Sequence, residues 1–413
     1  MIEPNTSNYK KVTFSLALGS FIVFCNLYLF QPMLPHLAVH FSVTATQVNW
    51  VFASTTLALS LSLVPCAVAS EAMGRKCLML TGLLTMPLIG LAMLSAQSFF
   101  TLIFMRALMG IAIAAFASVA VAYMVEEMSS RAFKQAIGGY IAANSLGGIT
   151  GRVLGGTLTD NLGWEHALIA MAVISLIGAL VVSITLPKQK HFSPQRGMLR
   201  HHNKALVKHL SNPTLWFAMM IGGINFALFV NLYSIMGFRL VEAPHSLPIG
   251  MASLIFLCYL PGTLSSKLTS IWNRTYPPIT GMLVGTTVSF LGMLLAYIDR
   301  LPLMVLGLAL ISFGAFFTHT LAYAWVSVKA TQAKAAATAL YLVHYYVGGS
   351  IGGFFLIYCW QKGGWEYVIA GSSLLYLTML WLCRRLNQHS EVPRKQNGEV
   401  SASPKQEDIS SIP

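Results

Sequence analysis

Apolar residues in this chain neither alternate nor keep to one helical face. They run on for about 20 residues at a time, the length that crosses a bilayer as a helix. Such windows fall at 12–33, 48–69, 78–96, 99–124, 135–157 and 166–186, then at 213–235, 248–266, 279–297, 302–326, 336–358 and 366–384. They predict an all-α integral membrane fold of twelve spans, numbered 1 to 12 below. An even count places both termini on one side. Polar stretches set the organisation: an N-terminal tail at 1–11, a first six-span half at 12–186, a connector at 187–212, a second half at 213–385 and a tail at 386–413.

The fifth window is unlike the rest. Gly147, Gly151 and Gly155 recur every four residues, so on a helix they form one bare ridge where another backbone can approach closely. Gly148, Arg152 and Gly156 form the neighbouring ridge, with a guanidinium between two residues that have no side chain. An arginine inside a span costs about 3 kcal/mol on insertion scales unless the protein interior receives it. The stretch reads as a span lining an interior cavity. Snorkelling of Arg152 to the outer headgroups is the alternative.

Composition agrees with the pattern. Of 413 residues, 55% are hydrophobic and 9% charged, and mean hydropathy is +0.66, whereas soluble domains carry about 25% charged residues. The formal charge of +13 would suit a nucleic-acid partner only if it were pooled on one soluble surface. It is not. With the N-terminus inside, 21 of the 26 lysines and arginines lie on that side. Arg239, Arg300 and Lys362 lie on the other, and Arg106 and Arg152 lie within spans. This is the positive-inside distribution. Contact with anionic lipid headgroups is a secondary effect, and nucleic acid is not an expected partner.

Lys10 and Lys11 precede an apolar run, as in a signal peptide, but the run continues without a small-x-small cleavage site and reads as span 1. The six cysteines are scattered without metal or redox spacing. No nucleophile–base set and no GxxxxGK[ST] loop occurs, so neither an enzyme, an ATP-driven pump, a metal nor a cofactor is expected. Residues 187–211 hold six Lys/Arg, four His and no acid. They fit either a short amphipathic helix on the inner leaflet or a solvated connector. The tail after Arg385 is polar and reads as disordered.

The halves echo each other. Phe24-Cys25-Asn26-Leu27-Tyr28 recurs as Phe229-Val230-Asn231-Leu232-Tyr233, and Gly163-Trp164-Glu165 as Gly364-Trp365-Glu366. Ala122-Tyr123 with Lys134 recurs as Ala322-Tyr323 with Lys334, and Gly147-Gly148 as Gly348-Gly349. A duplicated six-span unit is the architecture of secondary transporters, which hold substrate near midplane between the halves.

Motifs now carry a resemblance. Ala67 to Lys76 is similar to a loop signature between spans 2 and 3, Gly-x-x-x-Asp-Arg-x-Gly-Arg-Lys, with Gly74, Arg75 and Lys76 matching and Glu71 in the place of the aspartate. Leu102, Arg106 and Gly110 match a span 4 signature. Gly147, Gly151, Gly155 and Gly156 match a span 5 antiporter signature whose proline is here Arg152. The chain resembles the major facilitator superfamily, in its branch of bacterial drug and metabolite efflux antiporters. That resemblance implies two pseudo-symmetric six-helix halves in a multi-pass protein of the bacterial inner membrane. It also implies a cytoplasmic gate at Glu71, Gly74, Arg75 and Lys76, with Glu71 as the latch acid. Gly110 and the span 5 glycines would serve helix packing, and the family position favours a cavity-facing Arg106. The acid of the family's span 1 pattern is here Asn26.

No carboxylate lies deep in any window. The polar residues that do are the candidates for substrate: Asn26, Tyr28, Asn144, Asn231, Tyr233, Tyr341 and Tyr345, with Arg106 and Arg152. An amide such as Asn26 or Asn231 could equally join helices to each other. His319 and His344 are the candidates for proton coupling, because histidine titrates near physiological pH; either could instead be a hydrogen-bonded core residue. The reading carried forward is a monomeric secondary transporter that moves a small organic solute by alternating access, with proton-coupled efflux as first choice. Import or uniport of a small organic anion is the alternative. A transporter-derived sensor or scaffold is the alternative of another class.

Overall fold

The structure is a computed structural model and describes residues 1–192, 206–330 and 334–391. Residues 193–205, half of the connector, and 392–413 of the tail with the disorder expected there lie outside those residues; the described end of the connector is helical over 206–210. Ten helices among the described residues are long and apolar enough to cross a membrane. Two features separate this count from the twelve windows of the sequence. Span 5, Ser130–Leu162, is 33 residues long, but its glycines and polar residues dilute its hydropathy. Spans 11 and 12 share one helix, Lys334–Glu391, which leaves helical geometry at Gly363 and Gly364.

Local chemistry explains the boundaries. Span 1 starts at Ser7, earlier than hydropathy suggests, because the Thr6 side chain accepts from the Tyr9 N–H. It ends at Tyr28, and Pro32 follows within a short turn before the small helix Leu34–His40. Ser98 and Ser129 cap spans 4 and 5 in the same way. Span 4 breaks after Ala117 and resumes as Ala120–Glu127. Span 8 begins as Ile249–Ser253, tightens into a 3-10 turn over Leu254–Cys258 and continues as Tyr259–Thr275.

The internal repeat is visible in the backbone. Gly163 and Gly364, equivalent by sequence, both turn with positive φ, +92° and +58°. Only glycine adopts such a turn freely. Each is followed by a buried tryptophan, Trp164 and Trp365. Glycine contacts repeat too. A Cβ on Gly147, Gly151 or Gly155 would strike the backbone carbonyl of Phe21, Cys25 or Leu29, so span 5 lies directly on span 1. In the second half Gly348 lies on the Gly223 backbone and Gly352 on Ala227, joining spans 11 and 7. Gly110 sets span 4 against Thr55 of span 2, and Gly156 reaches Ser253 of the other half.

The charge distribution assigns the ends of spans 1 and 5 near Tyr28 and Leu162 to the outside. At that end the halves meet. Gln31 Nε2 donates to the Val230 carbonyl at 2.8 Å and to Ser234 Oγ at 2.7 Å. Thr46 hydrogen-bonds Gln361, and Thr56 Oγ1 lies 2.6 Å from Ser350 Oγ. Trp50 packs on Phe354 with ring centres 4.6 Å apart.

Candidate functional site

Arg152 is 1% exposed, enclosed by the protein. Its Nε donates to Gln31 Oε1 at 2.6 Å and its Nη1 to the Gly148 carbonyl at 2.8 Å. The guanidinium lies over the Tyr28 ring, 3.6 Å from its centre, with Tyr259 at 4.6 Å and Phe256 at 4.9 Å. No carboxylate pairs with it among the described residues. The cation is therefore stabilised by ring quadrupoles and two oxygens. Tyr28 and Gln31 come from the first half, Phe256 and Tyr259 from the second. Because Gln31 also holds Val230 and Ser234, the set forms one bolt across the outer end. Gln31, Phe256 and Tyr259 were not singled out in the sequence. The signal for Gln31 was a lone polar residue beside Pro32; that for the two rings was their place in the window opposite span 5.

Arg106 is fully buried and differently used. Its Nε, Nη1 and Nη2 donate to the carbonyls of Val51, Asn26 and Leu27 at 3.1, 3.2 and 3.2 Å, and it lies 4.5 Å over Phe30. In this conformation it ties spans 1, 2 and 4 together rather than facing the space between halves. The matched amides also make helix contacts. Asn26 Nδ2 donates to Ile22 O and to Ser175 Oγ of span 6; Asn231 Nδ2 donates to Ala227 O and to Gly349 O of span 11. Tyr233 joins Leu308 O and Ser312 of span 10, each at 2.8 Å. Asn144 accepts from Ser20, joining spans 5 and 1.

The second half carries a ring cluster of its own. His319 Nδ1 lies 3.0 Å from the Tyr341 hydroxyl, which also donates to the His319 carbonyl at 3.3 Å. The His319 ring centre is 4.3 Å from that of Tyr345 and 6.2 Å from that of Tyr323. Tyr345 in turn stacks on Phe226 at 4.1 Å. His344 sits one turn below Gly348 with Nδ1 on the Leu340 carbonyl at 2.8 Å. Both histidines are half-buried.

At the cytoplasmic end Gly74 turns with φ +98° between spans 2 and 3. Arg75 pairs with Glu126 at the end of span 4, Nη2 to Oε1 at 2.8 Å, and also donates to Ser70 Oγ and Ala67 O. Lys76 donates its backbone N–H to Gln189 Oε1 at 3.0 Å and its ammonium to the Leu186 carbonyl. Next to these, the buried Glu127 accepts from the backbone N–H groups of Lys190 and His191, both at 2.9 Å, and Tyr123 donates to Pro187 O. The start of the connector is thus strapped onto the loop between spans 2 and 3 and the end of span 4. Sequence reading had not anticipated Glu126 and Glu127 in this role.

Two helical halves bolted at one end, with polar residues between them and apolar flanks outside, define a membrane transporter of the secondary type. A family model for the Major Facilitator Superfamily matches residues 16–353, and the chain belongs to that superfamily. It is 32% identical over 402 residues to the uncharacterized MFS-type transporter YybF of Bacillus subtilis (strain 168), covering 96% of this chain and 98% of that one. It is also 32% identical over 387 residues to the inner membrane transport protein YnfM of Escherichia coli (strain K12), covering 94% and 93%. In fold it is similar to a bacterial homologue of the human lysosomal transporter Spinster, solved inward-facing and occupied. The TM-score is 0.72 at 14% identity, with 96% and 100% of the chains covered. The protein is a multi-pass transporter of the bacterial inner membrane and not an enzyme.

Proposed function

We propose that this protein is a proton-coupled efflux antiporter of small, uncharged aromatic or amphipathic solutes, a drug or metabolite, and that the conformation described is the one open to the cytoplasm. The observation that carries the reading is that both intramembrane arginines are already engaged by the protein. Arg106 is taken up by three carbonyls, and Arg152 by Gln31, Gly148 and three rings. Neither offers a bare charge to an anion arriving from inside. What remains on the inner side of the bolt is the ring cluster of Tyr323, Tyr341 and Tyr345 around His319, with His344 along span 11 and Asn144 on span 5 of the other half. Tyrosine faces accept apolar rings while their hydroxyls supply hydrogen bonds. A proton on His319 would then compete with a neutral solute stacked on Tyr345, which is the mutual exclusion that antiport requires.

The test replaces His319 and His344 with Gln, singly and together. Flux driven by a pH gradient is compared with solute exchange at equal pH on both sides. Loss of driven flux with surviving exchange supports histidine coupling. A double variant that still concentrates solute against its gradient refutes it. The second reading, import or uniport of an organic anion, draws on the uncompensated charge of Arg152. Vesicle uptake that rises with acid on the solute side would favour it over antiport.

A further inference from the structure

We infer that Arg152 is an anion-binding site of the outward-open protein, covered in the present conformation by its aromatic cage, and that its ligand is a small inorganic anion entering from the outer side. The inference rests on the alternating-access reading above and concerns what the guanidinium faces once the outer end opens.

The cage divides by half. Tyr28, Gln31 and the Gly148 carbonyl travel with Arg152, since Gly151 presses span 5 onto the span 1 backbone at Cys25. Phe256 and Tyr259 belong to the second half, as do Val230 and Ser234, which anchor Gln31. Separating the halves at the outer end therefore removes two rings and leaves the guanidinium in place. It stays aimed by Gln31 Oε1 and Gly148 O, whose hydrogen bonds use two of its five N–H donors. A cation stripped of two ring faces, with no carboxylate to replace them among the described residues, is left with free donors. Those donors face an opening to water. An anion is the species that satisfies them.

The outer side of the bolt is nearly closed in this conformation, where Gln31, Tyr233, Ser234, Gly237, Ser253 and Phe256 line a void of about 10 Å³, room for one water. A monatomic halide asks for no donors beyond those the uncovered guanidinium frees, so it is the anion proposed. An anion that binds only the open state must shift the population toward it. Arg152 would then hold the outer end shut by itself and hold it open when an anion is bound.

Gly237 supplies the reporter, because a side chain there meets nothing within 4 Å. In a transporting background with the six native cysteines replaced by serine, Gly237→Cys is labelled from outside with an impermeant maleimide. Chloride is compared with gluconate at equal ionic strength. The expected result is labelling faster in chloride by about tenfold, within the range of ordinary site-to-site coupling. Arg152→Gln should label fast in both salts with no difference between them. Arg152→Lys, which keeps the charge, should keep a chloride response. Equal rates in both salts, while added transported solute still changes the rate, overturn the anion site and leave alternating access standing. Rates insensitive to salt and solute alike overturn both. A chloride response that survives Arg152→Gln places the anion elsewhere and overturns the assignment. Should Arg152→Gln fail to fold, the chloride–gluconate comparison in the parent and in Arg152→Lys still decides.

Discussion

A guanidinium inside a membrane must face something, and the two in this protein face different things. Arg106 faces carbonyl oxygens within one half, so it fastens spans. Arg152 faces rings of both halves, so it fastens a conformation. The distinction gives separate expectations. Tyr28→Phe keeps the ring face beneath Arg152 and should change transport less than threefold. Tyr259→Leu removes a cation–π contact of about 0.5–2 kcal/mol that only the closed outer end makes, and should speed outer-end opening by about twofold to thirtyfold, read by cysteine labelling at position 237. Arg106→Gln leaves the carbonyls of Asn26, Leu27 and Val51 short of donors and should lower thermal stability by about 2 kcal/mol or more, seen as a lower melting temperature in detergent. The sequence made Arg152 legible, because glycines on both sides offered no shield from lipid. Its partners were not legible. Gln31 and Tyr259 lie in separate windows, and no spacing rule brings residues of two halves together.

Among the elements, the seam between spans 2 and 11 carries the most testable contact. Gly353 lies where a Cβ would sit 2.7 Å from Asn49 Nδ2 and 2.8 Å from Asn231 Oδ1, both buried. Gly353→Ala should wedge this seam, with an overpacking penalty of about 1–3 kcal/mol whose share against Asn49, in the other half, falls on the outer-closed conformation. Outer-end labelling should rise while the protein still folds. A second element-level expectation concerns the strap on the connector. Glu127→Ala strands the N–H groups of Lys190 and His191, a loss of about 1–3 kcal/mol. Trypsin should then cut after Lys188 or Lys190 faster in inside-out vesicles, and unchanged cutting would count against the strap. The carboxylates that hold Arg75 and the start of the connector, Glu126 and Glu127, come from the end of span 4, outside the signature that the sequence offered. Ser130–Leu162, which the sequence did single out, is less apolar than the other spans because close packing there uses glycine instead of apolar bulk.

For the molecule as a whole, the charge bias fixes which end opens to which compartment, and the outer bolt makes that orientation mechanistic. Cysteines at positions 242 and 299 should label from outside in intact cells, and those at 196 and 267 should not. Labelling at 196 from outside would invert the orientation and with it every statement about inward and outward states. At this scale the sequence was most informative. Twelve windows, a duplicated pattern at roughly half the chain length and a one-sided charge distribution are summed over many residues, so single errors average out. A site gets no such averaging: it depends on a few side chains whose neighbours are set only after the two halves meet.

The ridge of Gly147, Gly151 and Gly155 has a consequence for inheritance. No residue is smaller than glycine, so every base change that replaces one of these residues by another adds atoms where Phe21, Cys25 and Leu29 leave no space. Gly138 and Gly139 lie on the same helix, and nothing stands within 4 Å of the Cβ that alanine would add there. In a saturating mutational scan selected for transport, one helix should therefore show both extremes. Positions 147, 151 and 155 should refuse every substitution, while 138 and 139, two turns inward, accept alanine freely.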